Sequence, residues 1–312
     1  HSFPTRRSSD LDVNGDGYAD VIIGAYQASS YAGKSYVIYG GANKTNIDLN
    51  SIWANGFIIT GESSLDNSGR SVSSAGDVNG DGYADLIIGA YGATSAAGKS
   101  YVIFGRSSMS DISLSSLGSQ GFVINGQSSV DWSGYSVSSA GDVNGDGLSD
   151  LIIGAMFAEK TYVVYGKTDS NAINLSNVEN GIGGFEIKGE SIGDYSGRSV
   201  SSAGDVNGDG LADLIVGANY ADPAAGADAG KSYVIFGGTQ WISSSVKGSG
   251  TVTGTSADEA IIWSSSADTL TGNGGIDRFF AGDGNDTIVI TLSDIANLAN
   301  NTAANVKETI NG

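Results

Sequence analysis

Short apolar runs, separated by glycine and polar residues, recur in the same order along most of the chain. A run of the type LIIGA occurs four times, and so does an aromatic run of the type GKSYVIFG, while GF-x-I-x-G and SVSSAG occur three times each. Runs of this length, rich in β-branched and aromatic residues and bounded by Gly, predict β-strands. LIIG is apolar without alternation, which is typical of a strand covered on both faces. Four short strands in each repeat predict the blades of a β-propeller.

The most specific repeat is a nine-residue string directly before each LIIGA-type run. It reads DVNGDG-x-x-D at 12–20, 77–85, 142–150 and 205–213. Oxygen-bearing side chains stand at its first, third, fifth and ninth positions, and Gly at the sixth permits a sharp turn. This is the arrangement of a calcium loop, because Ca²⁺ takes about six to eight oxygen ligands. A main-chain carbonyl at the seventh position explains why that residue is either Tyr or Leu.

The sequence therefore predicts four Ca²⁺ sites with one ligand set in each repeat. The predicted ligands are Asp12, Asn14, Asp16, Tyr18 and Asp20; Asp77, Asn79, Asp81, Tyr83 and Asp85; Asp142, Asn144, Asp146, Leu148 and Asp150; and Asp205, Asn207, Asp209, Leu211 and Asp213. An EF-hand is excluded, since the twelfth position carries Ile or Val instead of Glu and a strand-like run follows. A dockerin-type module is excluded for the same reasons. Asx-rich turns without metal are the alternative.

The string SG[RY]SVSSAGDVNGDG-x-x-DLIIGA resembles the FG-GAP repeat of integrin α-subunit head domains and their bacterial relatives. Here the FG is Gly-Arg or Gly-Tyr, and the GAP is Gly-Ala followed by Tyr, Met or Asn. The resemblance covers 12–238 and implies an all-β fold, a partial β-propeller of four-stranded blades. The predicted blade repeats span about 12–40, 56–105, 121–166 and 184–237. The family places its ligand on the loop face opposite the calcium turns, here 26–33, 91–97 and 219–229.

A different pattern follows a Ser/Gly/Thr-rich linker at 239–253. GNGGIDRFF (272–280) and AGDGNDTIV (281–289) align at a period of nine residues, with weaker copies at 254–262 and 263–271. They resemble the RTX nonapeptide, which implies a short calcium-binding parallel β-roll over 254–290. The resemblance implies ligands at Gly275 with Asp277 and at Gly284 with Asp286. A Gly/Asp turn cluster is the alternative.

The two ends of the chain differ from the repeats. The segment 1–11, HSFPTRRSSDL, resembles the conceptual translation of a sequencing-adapter oligonucleotide, and we leave it out of the functional reasoning. At the other end, 291–312 predicts a short helix with Ser293 as N-cap. We interpret the chain as an internal fragment of a longer protein.

Composition narrows the chemistry that this chain can perform. It has no Cys, and its one His lies in the segment set aside, so thiol, Ser-His-Asp and His-zinc chemistry are excluded. The formal net charge of -19 argues against nucleic acid as a partner, and no apolar run is long enough to span a membrane. Two polar positions recur in three repeats, one with Glu62, Gln127 and Glu190 and the other with Asp66, Asp131 and Asp194, and this recurrence favours turns over a catalytic pair.

The sequence thus predicts a calcium-binding, non-catalytic module outside the cell or at its surface. Adhesion or recognition of a protein or carbohydrate ligand is the expected role, with export through an RTX-type route. The alternative is an accessory domain of a larger secreted hydrolase whose catalytic part lies elsewhere. Trp53, Trp132 and Trp241 are candidate ligand contacts, although packing between repeats is the favoured interpretation for them.

Overall fold

A computed structural model describes residues 11–42, 46–223 and 226–238, together with the main chain of six short strands between 245 and 289. The chain divides into two compact units, His1–Gly237 and Gly238–Gly312. In the described parts, extended strands dominate both units, as the apolar runs predict. The helices of the first unit are single turns, α1 (Ala28–Tyr31), α2 (Ala93–Ala96) and α3 (Leu175–Glu179).

The first unit consists of four mainly antiparallel sheets. Its strands are β1 (Val21–Ala25), β2 (Lys34–Ile38), β3 (Gly56–Thr60), β4 (Ser71–Gly76), β5 (Asp85–Ala90), β6 (Lys99–Ile103), β7 (Ile112–Ser113), β8 (Gly121–Asn125), β9 (Ser133–Gly141), β10 (Asp150–Ala155), β11 (Lys160–Val164), β12 (Ile173–Asn174), β13 (Gly184–Lys188), β14 (Ser196–Gly204), β15 (Asp213–Ala218) and β16 (Lys231–Ile235). Sheet I has the order β1-β2-β3-β7, sheet II β4-β5-β6-β8-β12, sheet III β9-β10-β11-β13 and sheet IV β14-β15-β16. Short 3-10 turns at Leu49–Ser51, Trp53–Asn55, Leu114–Ser116 and Gly118–Gln120 complete the connections.

The boundaries of the sheets are offset by one strand from the repeat aligned in the sequence. The alignment groups each GF-x-I-x-G run with the SVSSAG run that follows it. In the structure, β3 instead pairs with the preceding β2, β8 with β6, and β13 with β11. The apolar pattern marks a strand but does not specify its neighbour, since pairing is decided by the hydrogen bonds that the chain can close in three dimensions.

Neighbouring sheets pack face to face through three apolar clusters. The first joins sheets I and II, the second joins sheets II and III, and the third joins sheets III and IV. Within β5, Leu86 and Ile88 belong to the first cluster and Ile87 to the second, and all three are fully buried. The absence of alternation in LIIG is thus explained by burial on both faces, as predicted. In sheet IV, Ile215 is 37% exposed, because one face of this terminal sheet lacks a described neighbour. Four sheets stacked in this way fit the blades of a propeller.

Close contact between neighbouring sheets depends on glycine. A Cβ added at Gly89 of β5 would lie 2.0 Å from the carbonyl oxygen of Gly134 in sheet III, and one at Gly154 would lie 1.9 Å from that of Gly197 in sheet IV. A Cβ at the equivalent Gly217 of sheet IV would meet nothing closer than 3.6 Å. Glycine is therefore required in the GA pair only where another sheet packs against it.

The second unit has a different strand arrangement. Its strands are β17 (Ser245–Lys247), β18 (Thr251–Thr253), β19 (Ala260–Ile262), β20 (Thr269–Thr271), β21 (Arg278–Phe280) and β22 (Thr287–Val289). They form two parallel sheets, β17-β19-β21 and β18-β20-β22. From β18 onward the strands begin nine residues apart and alternate between the two sheets. The predicted ligands at 275, 277, 284 and 286 and the predicted helix in 291–312 lie outside the described residues.

Of the segment set aside as adapter-derived, only Leu11 is described. Its side chain is buried in the cluster between sheets I and II, and its carbonyl oxygen accepts a hydrogen bond from the N–H of Asp20. The described fold therefore begins one residue before the first DVNGDG string.

The glycine contact leads to a prediction with a matched control. We expect Gly89→Ala to lower the free energy of unfolding by about 1–3 kcal/mol, since the new methyl group must push two backbones apart. Gly217→Ala should change it by less than about 0.5 kcal/mol, because its Cβ has room. Denaturant unfolding followed by circular dichroism measures both. Equal effects of the two substitutions would contradict the packing role assigned to Gly89.

Candidate metal centre

The DVNGDG loops lie directly before β1, β5, β10 and β15, and their own side chains hold the turn. In the third loop, the carboxylate of Asp142 accepts hydrogen bonds from the N–H groups of Gly145 (2.7 Å), Asp146 (3.1 Å) and Gly147 (2.8 Å). The N–H of Asp146 also donates to the side-chain oxygen of Asn144 at 2.8 Å. The N–H of Leu148 donates to the carboxylate of Asp146 at 2.8 Å. These Asx turns explain why the loop needs short oxygen-bearing side chains at alternate positions.

The other three loops repeat nearly every one of these hydrogen bonds. In each, the N–H groups of the fifth and sixth residues donate to the first Asp at 2.9–3.1 Å, and the N–H of the seventh donates to the fifth at 2.9 Å. The Asn side chain also donates to the fifth-position carboxylate in all four loops. The loop geometry thus follows from the local sequence.

The ninth residue of each loop has a separate role as a buried anchor. The carboxylate of Asp150 accepts one hydrogen bond from the N–H of Val143 in its own loop (2.9 Å) and one from Gly166 at the end of β11 (2.9 Å). Asp85 makes the same pair of bonds with Val78 and Gly105. Asp20 and Asp213 are bound in the same way. Each anchor therefore fastens its loop to the residues just after the neighbouring strand, which is β2, β6, β11 or β16.

Burial changes the pKa values of two of these anchor carboxylates. Burial raises the pKa of Asp85 to about 7 and that of Asp150 to about 8, although the backbone N–H donors oppose the rise. The neighbouring carboxylates of the same loop add to the rise, namely Asp81 and Asp77 in one case and Asp146 and Asp142 in the other. Each loop therefore concentrates negative charge around a carboxylate that is shielded from water.

Each of the first three loops also contacts the next repeat. The N–H of Ser149 donates to the carbonyl of Asp77 at 2.9 Å, and the N–H of Lys167 donates to the carbonyl of Val78 at 2.9 Å. A Cβ on Gly80 would lie 3.0 Å from the side chain of Leu148. The same main-chain bond joins Ala84 to Asp12 and Ala212 to Asp142. The predicted ligand loops are thus part of the contact between sheets.

All four predicted ligand sets lie in such loops. That these loops bind a metal stays a prediction. All the predicted donor atoms are oxygens, as Ca²⁺ requires. Among the described residues, no group of three or more His, Cys, Asp or Glu side chains is arranged to hold a metal ion. The ninth-position carboxylates instead bind backbone N–H groups, so the structure gives these four residues an anchoring role that the sequence pattern does not reveal.

The recurring carboxylates outside the loops hold the sheets together. Glu62, which follows β3 of sheet I, binds Lys99 (2.8 Å) and Tyr101 (2.6 Å) of β6 in sheet II. Although burial acts in the opposite direction, these two hydrogen bonds lower the pKa of Glu62. The carboxylate of Asp66 accepts a hydrogen bond from the N–H of Ser63 at 3.0 Å, which closes a turn. These contacts agree with the expectation that the pair is structural.

The sequence analysis missed a row of aromatic rings at the opposite end of the sheets. Its ring centroids are spaced 4.4–5.9 Å apart. The row runs through Tyr91, Tyr135, Trp132, Phe157, Tyr195 and Tyr220. Trp132 packs against three rings of this row, Tyr91, Tyr135 and Phe157, in agreement with the packing interpretation. Trp53 is 84% exposed, and Trp241 lies outside the described residues. The available signal was an aromatic residue one or two positions after each GA pair, namely Tyr26, Tyr91, Phe157 and Tyr220.

The anchor predicts a large stability effect that does not require metal. We expect Asp150→Ala to lower the free energy of unfolding by about 2–5 kcal/mol in the presence of chelator, because two backbone N–H groups lose a buried acceptor. Asp169→Ala, which removes an exposed carboxylate outside the loops, should have a much smaller effect, since solvent screens its pairing with Lys167. Denaturant unfolding measures both variants. A near-neutral Asp150→Ala would contradict the anchoring role.

These repeats match a known family model and several known proteins. The FG-GAP repeat model matches residues 8–38, 68–103, 133–172 and 196–235. Integrin alpha-PS2 of Drosophila melanogaster is 31% identical over 47% of this chain and 10% of its own length. Integrin alpha-V of Gallus gallus is 30% identical over 68% of this chain and 20% of its own length. Phosphatidylinositol-glycan-specific phospholipase D of Bos taurus is 31% identical over 66% of this chain and 22% of its own length.

The matched segments each contain one DVNGDG loop and the two strands that follow it. The chain spans between 10 and 22% of the length of these three relatives. Within the described part of the chain, no helix has the length and apolar character needed to cross a membrane. The first unit is therefore all-β, four of its segments match the FG-GAP repeat model, and the chain is similar to a part of the integrin α subunits.

Proposed function

We propose that this chain is a calcium-binding, non-catalytic module that works in adhesion or recognition outside the cell or at its surface. The observation that carries this proposal is the recurrence of one all-oxygen loop, held by the same backbone hydrogen bonds, in all four repeats. Ca²⁺ would be held by the side chains at the first, third, fifth and ninth positions and by the carbonyl at the seventh. A bound Ca²⁺ would supply positive charge and cross-link the loop, so its role would be structural.

Charge and position both favour a structural cation in these loops. Three Asp residues lie within nine positions of each loop, in a chain whose net charge is -19. A divalent cation would offset the repulsion among them. Because each loop also donates or accepts main-chain hydrogen bonds with its neighbour, an ion that stiffens the loop would stiffen the contact between sheets as well.

The similarity to integrin α subunits favours recognition over catalysis. The described residues contain no His or Cys, so the common nucleophile–base pairs are missing from this part of the chain. The recurring Glu and Asp residues are engaged in turns and sheet contacts. A protein or carbohydrate at the cell surface is the proposed partner, and the location follows from the same similarity.

For the second unit, we extend the proposal to an RTX-like β-roll and to export by the route that such repeats use. The support is the strand spacing of nine residues and the alternation of strands between two parallel sheets. Each turn of such a coil would contain two nonapeptides, in agreement with the pairing of β20 with β22 at an offset of 18 residues. Gly275 with Asp277 and Gly284 with Asp286 would lie in the turns that hold Ca²⁺.

A specific observation also favours the alternative function. The match to a phospholipase D extends over 66% of this chain, so repeats of this type also accompany an enzyme. In that case the chain would be an accessory, calcium-stabilised domain of a secreted hydrolase. The sequence of the complete reading frame separates the two candidates, because a catalytic domain beside these repeats would favour the hydrolase.

The calcium proposal predicts a metal-specific rise in thermal stability. For each site with free Ca²⁺ about tenfold above its Kd, preferential binding to the folded state adds about 1.4 kcal/mol. Four sites should together raise the Tm by about 10 °C or more between chelator and millimolar Ca²⁺. Mg²⁺ at the same concentration should have a much smaller effect, since it demands octahedral geometry and dehydrates reluctantly. A melt followed by circular dichroism, with metal analysis of the sample, provides the test.

A matched pair of double variants assigns the effect to the loops. Asp81→Asn with Asp209→Asn removes the fifth-position carboxylate from two loops, and should abolish about half of the rise in Tm. Asp169→Asn with Asp228→Asn removes two exposed carboxylates outside the loops and should leave the rise intact. The proposal is refuted if the protein is folded, contains no calcium by metal analysis, and has the same Tm with and without added Ca²⁺.

A further inference from the structure

Two arginines meet at one tyrosine at the end of the sheets opposite the DVNGDG loops. Arg70, Tyr135 and Arg198 occupy equivalent positions directly before the SVSSAG runs of sheets II, III and IV. The guanidinium carbon of Arg70 lies 4.6 Å from the ring centroid of Tyr135, and that of Arg198 lies 5.9 Å from it. The two positive charges are therefore no more than about 10.5 Å apart.

Neither guanidinium has a carboxylate partner within 4.0 Å among the described residues, although the chain carries 34 Asp and Glu. By contrast, five lysines of the described part are paired with carboxylates, namely Lys99, Lys160, Lys167, Lys188 and Lys231. Arg70 donates to the hydroxyl of Tyr135 at 2.8 Å, a bond that holds the guanidinium and uses one of its five N–H donors. Both arginines are exposed. Two unneutralised cations held side by side in an acidic protein form a site for an anion.

These residues line a cavity of about 670 Å³ between sheets II, III and IV. The rest of its lining is small or polar and includes Ser71, Ser136, Ser199, Gly217, Asn219, Gly230 and Ser232. The cavity has the volume of a pocket for a small ligand. Since few apolar side chains line it, its surface is suited to a ligand that carries hydroxyl groups.

The aromatic row lies beside this cavity. Trp132 lies 5.9 Å from Tyr135, and the row ends at Tyr220, the neighbour of the cavity residue Asn219. Two of its rings, Phe157 and Tyr220, are 42% and 43% exposed. An exposed ring packs well against the C–H face of a pyranose, and an Arg fork binds a carboxylate through two parallel hydrogen bonds.

From this arrangement we infer that the cavity binds an acidic saccharide, with Arg70 and Arg198 holding the carboxylate groups of uronic acid residues. The hydroxyl and amide groups of the lining would face the sugar hydroxyls, and the exposed rings of the row would pack against the sugar rings. The inference rests on the recognition role proposed above and names its ligand class. It does not depend on which metal fills the DVNGDG loops, because these lie at the other end of the strands.

Calorimetric titration of the full chain in millimolar Ca²⁺ tests this inference. The probe is a glucuronate-containing tetrasaccharide, and its controls are the carboxyl-reduced tetrasaccharide and a Glu-containing peptide of equal charge. We expect the acidic saccharide to bind, with an affinity that falls as salt is added, and both controls to bind at least about tenfold more weakly.

Substitutions then locate the binding. Arg70→Ala and Arg198→Ala should each weaken binding by about tenfold or more, since each removes a charge-assisted contact. Lys188→Ala removes the same charge outside the cavity and should leave the affinity unchanged. Arg198→Lys, which keeps the charge but loses the planar fork, should fall between the parent and Arg198→Ala. Unchanged calcium-induced stabilisation confirms that each variant is folded.

Three results would overturn the inference. If the carboxyl-reduced saccharide binds equally well, the arginines do not recognise the carboxylate. If the peptide binds equally well, the ligand is a peptide and not a saccharide. Absence of binding to the parent chain, with its calcium-dependent rise in Tm intact, would refute the ligand class while leaving the calcium-stabilised module standing. Loss of the calcium effect alone would count against the proposed function instead.

Discussion

The arrangement of the first unit depends on a buried carboxylate at the ninth position of each DVNGDG loop. Asp150 binds one N–H in its own loop and one at the end of β11, so it sets where the loop ends and where the second strand begins. A fully buried carboxylate is costly unless its oxygens have donors, and here each oxygen has one. Because all four repeats use the same two bonds, each loop is held in the same position relative to the strands of its sheet.

Packing between the sheets depends equally on glycines, which have no side chain. The glycines at 89 and 154 let the carbonyl of the next sheet approach where any Cβ would collide. Apolar residues on both faces of β5 and β10 then fill the two gaps on either side. The same residue types in β15 have one face without a described neighbour, so Ile215 is exposed although its sequence context matches that of Ile87.

The two ends of the sheets carry different charged groups. The loop end carries the repeated Asp residues. The other end carries Arg70 and Arg198 beside a row of aromatic rings, together with carboxylates such as Glu62 that are paired with Lys. The proposed cation sites would therefore stabilise the module at one end, while the proposed ligand would bind at the other.

The sequence by itself determined the local parts of this protein. The DVNGDG string specifies its own turn, because its short side chains bind backbone N–H groups two to five residues away. The runs of β-branched residues specify strands, and their period specifies the number of repeats. A single repeat alignment could not determine which strands pair, since β3 binds β2 through hydrogen bonds that no side-chain pattern records.

Tertiary structure alone decided the contacts made across the sheets. Gly166 lies 16 positions from Asp150, and Gly134 lies 45 positions from Gly89. Tyr135 lies 65 positions from Arg70 and 63 from Arg198. Distances of this kind are set by how the sheets stack, and stacking depends on the combined shape of two faces. The position of a side chain in the repeat shows that it is equivalent to others; its environment depends on whether another sheet lies against it.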